Sequence, residues 1–335
     1  MLNWHELLVN VAFNLSPLKT ALICGISGQD GAYLADLLLQ KDYQVWGTSR
    51  DAPMCSFSNL KQLGLRDRIK VASMSLNDFR SVLQVINKVQ PDEIYNLAGQ
   101  TSVGLSFELP VETMESINGG TLNLLEAIRF TGAQIKFYNA GSSECFGNTP
   151  DQAADEMTPF RPRSPYAVAK AAAFWQVANY REAYKIFACS GILFNHDSPL
   201  RPQRFVTQKI VSAACAIAQG QQDKLHLGNT RIQRDWGWAP DFVESMYLML
   251  QHPDPDDYVV CTGETHSLED FVAEVFACLG LDWRDHVITD QSLFRPTDIA
   301  VSCGNPHKAK EKLGWVARYK MKDVAQQMVK ASLNS

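Results

Sequence analysis

Thr20 to Leu39 reads TALICGISGQDGAYLADLLL, and this stretch decides the fold. "TALICGI" is a short apolar run, as expected of a strand buried on both faces. "GAYLADLLLQKDY" places Tyr33, Leu34, Leu37 and Leu38 at helical spacing. Between them lies "GISGQDG". Glycines let a backbone turn tightly and approach a pyrophosphate, while the helix start offers free N–H groups and the positive end of its dipole. Gly25, Gly28 and Gly31, in the loop Gly25-Ile26-Ser27-Gly28-Gln29-Asp30-Gly31, are therefore candidates for holding a dinucleotide. The G-x-x-G-x-x-G spacing differs from G-x-G-x-x-G, so the flanking strand and helix carry the argument. A glycine-rich turn without a ligand is the alternative.

Outward from this unit the pattern repeats. "QVWGTS", "EIYNLAG", "IKFYNAGS" and "FACSGILF" read as strands. "FRSVLQVINKV", "GGTLNLLEAIRFTG" and "YAVAKAAAFWQVANYREAY" read as helices. Such alternation predicts parallel pairing through right-handed crossovers, hence an α/β fold with a doubly wound parallel sheet. After about Asn195 the rhythm breaks. "HDSPLRPQRF" predicts a loop, and "VTQKIVSAACAIAQG" and "SLEDFVAEVFACLG" predict helices of a smaller lobe. The expected division is a dinucleotide domain over 18–196, with returns near 229–252 and 295–304. The lobe takes 197–228 and 253–330. Residues 1–17, "MLNWHELLVNVAFNLSP", are expected to be an appended helix or tail, without a signal-peptide pattern or the length to span a bilayer.

Composition narrows the function. The net charge of −5 and the absence of Lys/Arg runs argue against a nucleic-acid partner. The eight cysteines form no C-x-x-C pair and no zinc-ligand spacing, so reduced thiols in a cytoplasmic protein and no metal are expected. No stretch is apolar enough to cross a membrane.

A dinucleotide site calls for a reactive group near the nicotinamide. In "RSPYAVAK", Tyr166 and Lys170 stand at i, i+4 on one helix face, behind a proline suited to a first turn. An ammonium beside a phenol is expected to lower its pKa and make a usable base. An ordinary surface pair is the alternative. "NAGSSECFG" follows a strand end, where open α/β sheets bind ligands. It offers the Ser142 and Ser143 hydroxyls and the Glu144 carboxylate. Oxidation needs only a serine and the tyrosine; an added carboxylate suggests a second proton transfer, as in a dehydration. Turn chemistry with a solvated acid is the competing view. At the end of the second strand, Asp51 would suit a ribose 2′-hydroxyl and NAD, Arg50 a 2′-phosphate and NADP.

With these motifs in place, the chain resembles the extended short-chain dehydrogenases/reductases, and within them the GDP-mannose 4,6-dehydratase family. The likeness runs from about Thr20 to Lys330. It is most specific in "GISGQDGAYLADLLL", "SSECFG", "TPFRPRSPYAVAK", "GILFNHDSP", "FVTQKI" and "RDWGWAPDFVESMYLMLQ". The resemblance implies a Rossmann domain with a smaller substrate lobe. It also implies Ser142, Glu144, Tyr166 and Lys170 as catalytic residues, Ser142 standing where the family usually has threonine. Cofactor contacts carry over to Gly25 through Gly31, Arg50, Ser75, Leu76, Leu97, Ala98, Gly99, Gln100, Thr101, Lys170, His196 and Arg201. Nucleotide-sugar contacts carry over to Asn195, Lys209, Arg234 and Arg295. It implies a GDP-sugar substrate, NADP with NAD still open, and a homodimer or homotetramer.

Some positions depart from the family pattern. Ser75-Leu76 replaces an acidic residue, Arg50-Asp51 an arginine pair, Glu112 a tyrosine, and "LRPQRF" differs from the usual loop. Three other functions stay in view: a GDP-heptose dehydratase, a nucleotide-sugar 4-epimerase or reductase, and a non-catalytic dinucleotide sensor.

Overall fold

The computed structural model describes residues 18–334, so the expectation for 1–17 lies outside the described residues. The first unit forms as its sequence dictates. β1 (Thr20–Cys24) runs through the glycine turn into α1 (Gln29–Gln40). β2 (Gln44–Ser49), β3 (Lys70–Ser73), β4 (Glu93–Asn96), β5 (Lys136–Ala140) and β6 (Ala188–Leu193) follow. All join one seven-stranded parallel sheet, completed by β11 (Tyr258–Val260), in the order β11-β6-β5-β4-β1-β2-β3. The doubly wound sheet is thus present. Every residue of β6 is buried, which explains its unbroken apolar sequence.

Helices cover both faces. α1 packs beside α6 (Ala239–Gln251) on one, through side chains such as Leu34, Leu38, Phe242 and Met246. On the other, α2 (Phe79–Val89), α3 (Gly120–Thr131) and α4 (Pro165–Tyr184) bury Val82, Leu124 and Val177. α4 starts sharply because Ser164 caps it, accepting the Ala167 N–H at 3.1 Å, with Pro165 in the first turn.

The lobe has its own core between α5 (Val206–Ala218), α7 (Leu268–Ala277) and α8 (Met321–Leu333), filled by Ile210, Phe271 and Val324. Short strands frame it: β8 (Leu225–Leu227) pairs with β13 (Val287–Thr289), and β9 (Gln233–Arg234) with β12 (His266–Ser267). β7 (Asn195–Asp197) pairs with β10 (Trp236–Trp238), joining the end of the sheet to the lobe.

One expectation about the division is corrected. Tyr258–Val260 was expected in the lobe (253–330), yet it pairs with Gly191–Leu193 as the sheet's last strand. Its outer margin is closed by side chains: Glu156 Oε1 accepts the Val259 N–H at 2.7 Å, and Lys308 Nζ donates to the Asp257 carbonyl at 2.9 Å.

At the opposite end of the strands, Glu93 is fully buried and fully partnered. It accepts from Lys19 Nζ, the Tyr43 and Tyr95 hydroxyls and Gln251 Nε2 at 2.8–3.1 Å. No described helix is long and apolar enough to cross a membrane, and no described cluster of His, Cys, Asp or Glu could hold a metal. All eight cysteines are free.

Candidate active site

Two concavities stand out. A groove of about 770 Å³ runs along the β3 edge beside Lys61, Arg66 and Lys88, and contains none of the chemical residues. The second, about 400 Å³, opens at the carboxyl ends of β1, β4, β5 and β6 and is closed from the other side by the lobe. It is the smaller of the two, but Ser142, Glu144, Tyr166 and Lys170 all line it. Asn195, His196 and Arg201 line it from the sheet end, and Lys209, Arg234 and Arg295 from the lobe.

The glycine loop shapes the floor. Gly25 has φ +84°, and a Cβ there would lie 3.0 Å from Ala98 backbone atoms. At Gly31 a Cβ would fall 2.6 Å from the Gly25 carbonyl oxygen and 2.7 Å from Ile26 Cα. Gly28 starts α1 without a side-chain cap, so the first-turn N–H groups keep no intrahelical partner. This cradle fits a dinucleotide pyrophosphate. Gly31→Ala forces the loop apart. Losing one charge-assisted bond of about 1.5–3 kcal/mol predicts roughly 10- to 100-fold weaker dinucleotide binding, checked by fluorescence titration.

The loop after β4 lies beside this floor. Gly99 has φ +122°, and the Gln100 N–H donates to Ser116 Oγ at 3.2 Å. Ser116 belongs to a π-turn, Glu115–Gly119, that the sequence pattern did not reveal. Leu97 and Thr101 line the cavity. Ser75 and Leu76 do not: Ser81 Oγ accepts the Ser75 N–H, and Asn123 Nδ2 donates to the Leu76 carbonyl at 2.6 Å. Arg50 also stands outside, exposed, with only a loose 3.8 Å pairing to Glu112.

The chemical groups meet at the ends of β5 and α4. Ser142 caps the short turn Ser143–Phe146 by accepting the Glu144 N–H at 3.3 Å, which fixes both side chains on one wall. The Ser142 hydroxyl favours Tyr166 ionisation, as does the Arg201 charge. Burial nevertheless outweighs them and lifts the phenol above its ordinary pKa. The expected lowering by Lys170 is therefore not found. Lys170 Nζ instead donates to the Ala140 carbonyl at 2.8 Å, 5.9 Å from the Tyr166 ring centre. Burial pulls the Lys170 pKa down to about 8. Burial also raises the Glu144 carboxyl, while Arg234 and Arg295 draw it down and Asp298 pushes it up.

Asp298 is a residue that sequence reasoning missed. It pairs with Arg234 at 3.2 Å and Arg295 at 3.7 Å, holding both guanidinium groups at the cavity. Its position three residues after Arg295 was the available signal.

Comparisons with known proteins identify the family. A profile of the family described as GDP-mannose 4,6 dehydratase matches residues 22–328. The chain is 45% identical to GDP-mannose 4,6 dehydratase 1 of Arabidopsis thaliana over 329 residues, covering 95% of this chain and 91% of that one. Among solved structures it resembles UDP-glucose 4-epimerase of Thermus thermophilus in complex with NAD (TM-score 0.84, 25% identity, 94% and 99% of the two chains). It shares the fold of RMD from Pseudomonas aeruginosa complexed with NADPH (TM-score 0.78, 20% identity, 95% and 98% covered). On the family profile and the near full-length identity, the chain belongs to the GDP-mannose 4,6-dehydratase family.

Proposed function

We propose that the protein converts GDP-mannose to GDP-4-keto-6-deoxymannose and water. The observation that carries this reading is Glu144, a carboxylate on the same cavity wall as Ser142 and close to Tyr166. Oxidising a sugar carbon needs the phenol and a hydroxyl; expelling water next to it needs a further base. When bound, a nicotinamide held by the Gly25–Gly31 loop would supply a reversible hydride acceptor, so that C4 could lose hydride and C6 gain it. Tyr166 takes the O4 proton while Ser142 hydrogen-bonds the same oxygen. The new ketone acidifies the C5 hydrogen. Glu144 removes it and passes it to the C6 hydroxyl, which leaves as water; once C6 has gained hydride, C5 takes a proton from solvent, matched by the O4 proton that Tyr166 releases. Arg295 offers a fork suited to the diphosphate; Arg234, already donating to the Ile299 carbonyl and Asp298, would add its positive charge, and Asn195 and Lys209 line the same cavity. Lys170, held by the Ala140 carbonyl at 2.8 Å, would be available to a nicotinamide ribose.

NADP is the favoured cofactor. The Asp51 carboxylate accepts the Met54 N–H of its own turn, whereas the exposed Arg50, only loosely paired with Glu112 at 3.8 Å, could turn to a 2′-phosphate. Self-association through α3 and α4 is supported by Phe130 and Trp175, 69% and 63% exposed. Unpaired cysteines support a cytoplasmic setting.

The test is incubation with a panel of GDP-sugars and catalytic dinucleotide, read by mass. GDP-mannose should yield a product lighter by one water, without net reductant. An epimer of unchanged mass, or turnover of a heptose alone, overturns the assignment.

A further inference from the structure

His196 sits where β7 meets the glycine loop, and both of its ring nitrogens face acceptors. Nδ1 lies 2.7 Å from the Phe194 carbonyl oxygen and Nε2 lies 2.9 Å from Asp30 Oδ2. A neutral imidazole carries a single N–H. In that form one of the two contacts would set a nitrogen lone pair against an oxygen. A proton on each nitrogen satisfies both. The ring is buried and stacked on Phe242, with centroids 4.5 Å apart, so it cannot turn away to escape the conflict.

We propose that His196 is an imidazolium paired with the Asp30 carboxylate, and that this buried ion pair is a positioning element fastening the first turn of α1, and with it the dinucleotide loop, to β7. The bonds around it point the same way. Gln29 Nε2 donates to the His196 carbonyl at 3.2 Å and to Asp30 Oδ1 at 3.0 Å. Ser198 donates to Gln29 Oε1 at 2.7 Å.

The alternative, a protonated Asp30 beside a neutral ring, is disfavoured. Burial raises the Asp30 carboxyl, but His196, Gln29 and Arg201 together bring it down to about 2. Burial works against charge on the ring as well. There the Asp30 charge and hydrogen bond, helped by the Phe194 carbonyl, prevail and lift the imidazole pKa. Arg201 opposes the imidazolium, and its guanidinium is itself paired with Asp197 at 3.0 Å. Tyr33, Tyr138 and Lys170 also feel the Asp30 charge.

The sign of the pH effect follows. A histidine raised by folding contributes stability below its ordinary pKa and loses it as pH rises through the folded value. Dinucleotide affinity should fall across the same window.

The experiment is ring-nitrogen NMR on the ligand-free protein, with the signal assigned through His196→Gln. At pH 7 both nitrogens should show protonated shifts, titrating above the ~6.5 of free histidine. In Asp30→Asn the titration should drop below that value. The variant should bind the dinucleotide roughly tenfold more weakly at pH 7 and lose the pH dependence of binding, tenfold corresponding to about 1.4 kcal/mol. A singly protonated ring at pH 7, or an unchanged titration in Asp30→Asn, overturns the proposal. Should Asp30→Asn not fold, the wild-type spectrum alone decides the charge. The positioning role rests on the dinucleotide reading, but the ring charge is measured with no ligand present, so the two fail separately.

Discussion

Glu144→Gln should stop the release of water while hydride removal from the sugar stays detectable. The amide keeps the size of the side chain and its place behind Ser142, but it cannot accept the C5 proton. A positioned general base contributes roughly 10²- to 10⁴-fold, so dehydrated product should fall by that factor. Stability should move the other way. Burial raises the Glu144 carboxyl, meaning the folded protein holds its proton more tightly than the unfolded chain does. The ionised group therefore costs stability as pH rises past the ordinary carboxylate range, and a neutral amide removes that cost. Mass detection of product beside a melting curve at pH 7 separates the two effects. Product formation within a few-fold of wild type would remove the elimination mechanism. A melting temperature well below wild type would show that Glu144 is chiefly structural.

The second large effect is Tyr166→Phe. It should block both oxidation and loss of water, where Glu144→Gln blocks only the latter. The same general-base range, roughly 10²- to 10⁴-fold, applies, now at the first step. The phenol is buried and its pKa raised, so Tyr166 is neutral in the resting protein at pH 7. The fall of the Lys170 pKa from 10.5 to about 8 has a related consequence: holding the ammonium in the folded protein costs stability that grows as pH falls from 10.5 toward 8 and is complete below it, while near pH 7 the side chain is still charged. Tyr166 thus relies on Ser142 and Arg201, which favour its ionised form. Single-turnover hydride transfer, followed by nicotinamide absorbance, should be absent in Tyr166→Phe and present in Glu144→Gln. Equal rates in the two variants would contradict the division of roles.

Much of this was legible in the chain because local pattern and global fold agree. The apolar run before Gly25, the helical spacing after Gly31 and the Ser164-Pro165 helix start each report structure within a few residues of themselves. What escaped depends on distant neighbours. β11 has three residues, too few to show a period, and its partner Gly191–Leu193 lies more than sixty positions upstream. The burial that raises the Tyr166 phenol goes with Ile117, Val103 and Met114, which lie in the same apolar cluster and come from a distant part of the chain, so a neighbouring lysine four residues away was a poor guide. Asp298 acquires its role only when Arg234 is carried from another strand to meet it.

The plug on β11 has a bearing on solubility. A parallel sheet ends in two rows of main-chain groups able to recruit a foreign strand and seed fibrils. On one flank the Glu156 carboxylate already occupies an outward N–H. On the other, Lys61, Arg66 and Lys88 fence the β3 groove with like charge, so a second copy approaching in register meets repulsion. Truncating Glu156 to alanine would remove the acceptor of the outward Val259 N–H and open the margin of a strand whose residues are wholly buried, away from the residues of the active-site cavity.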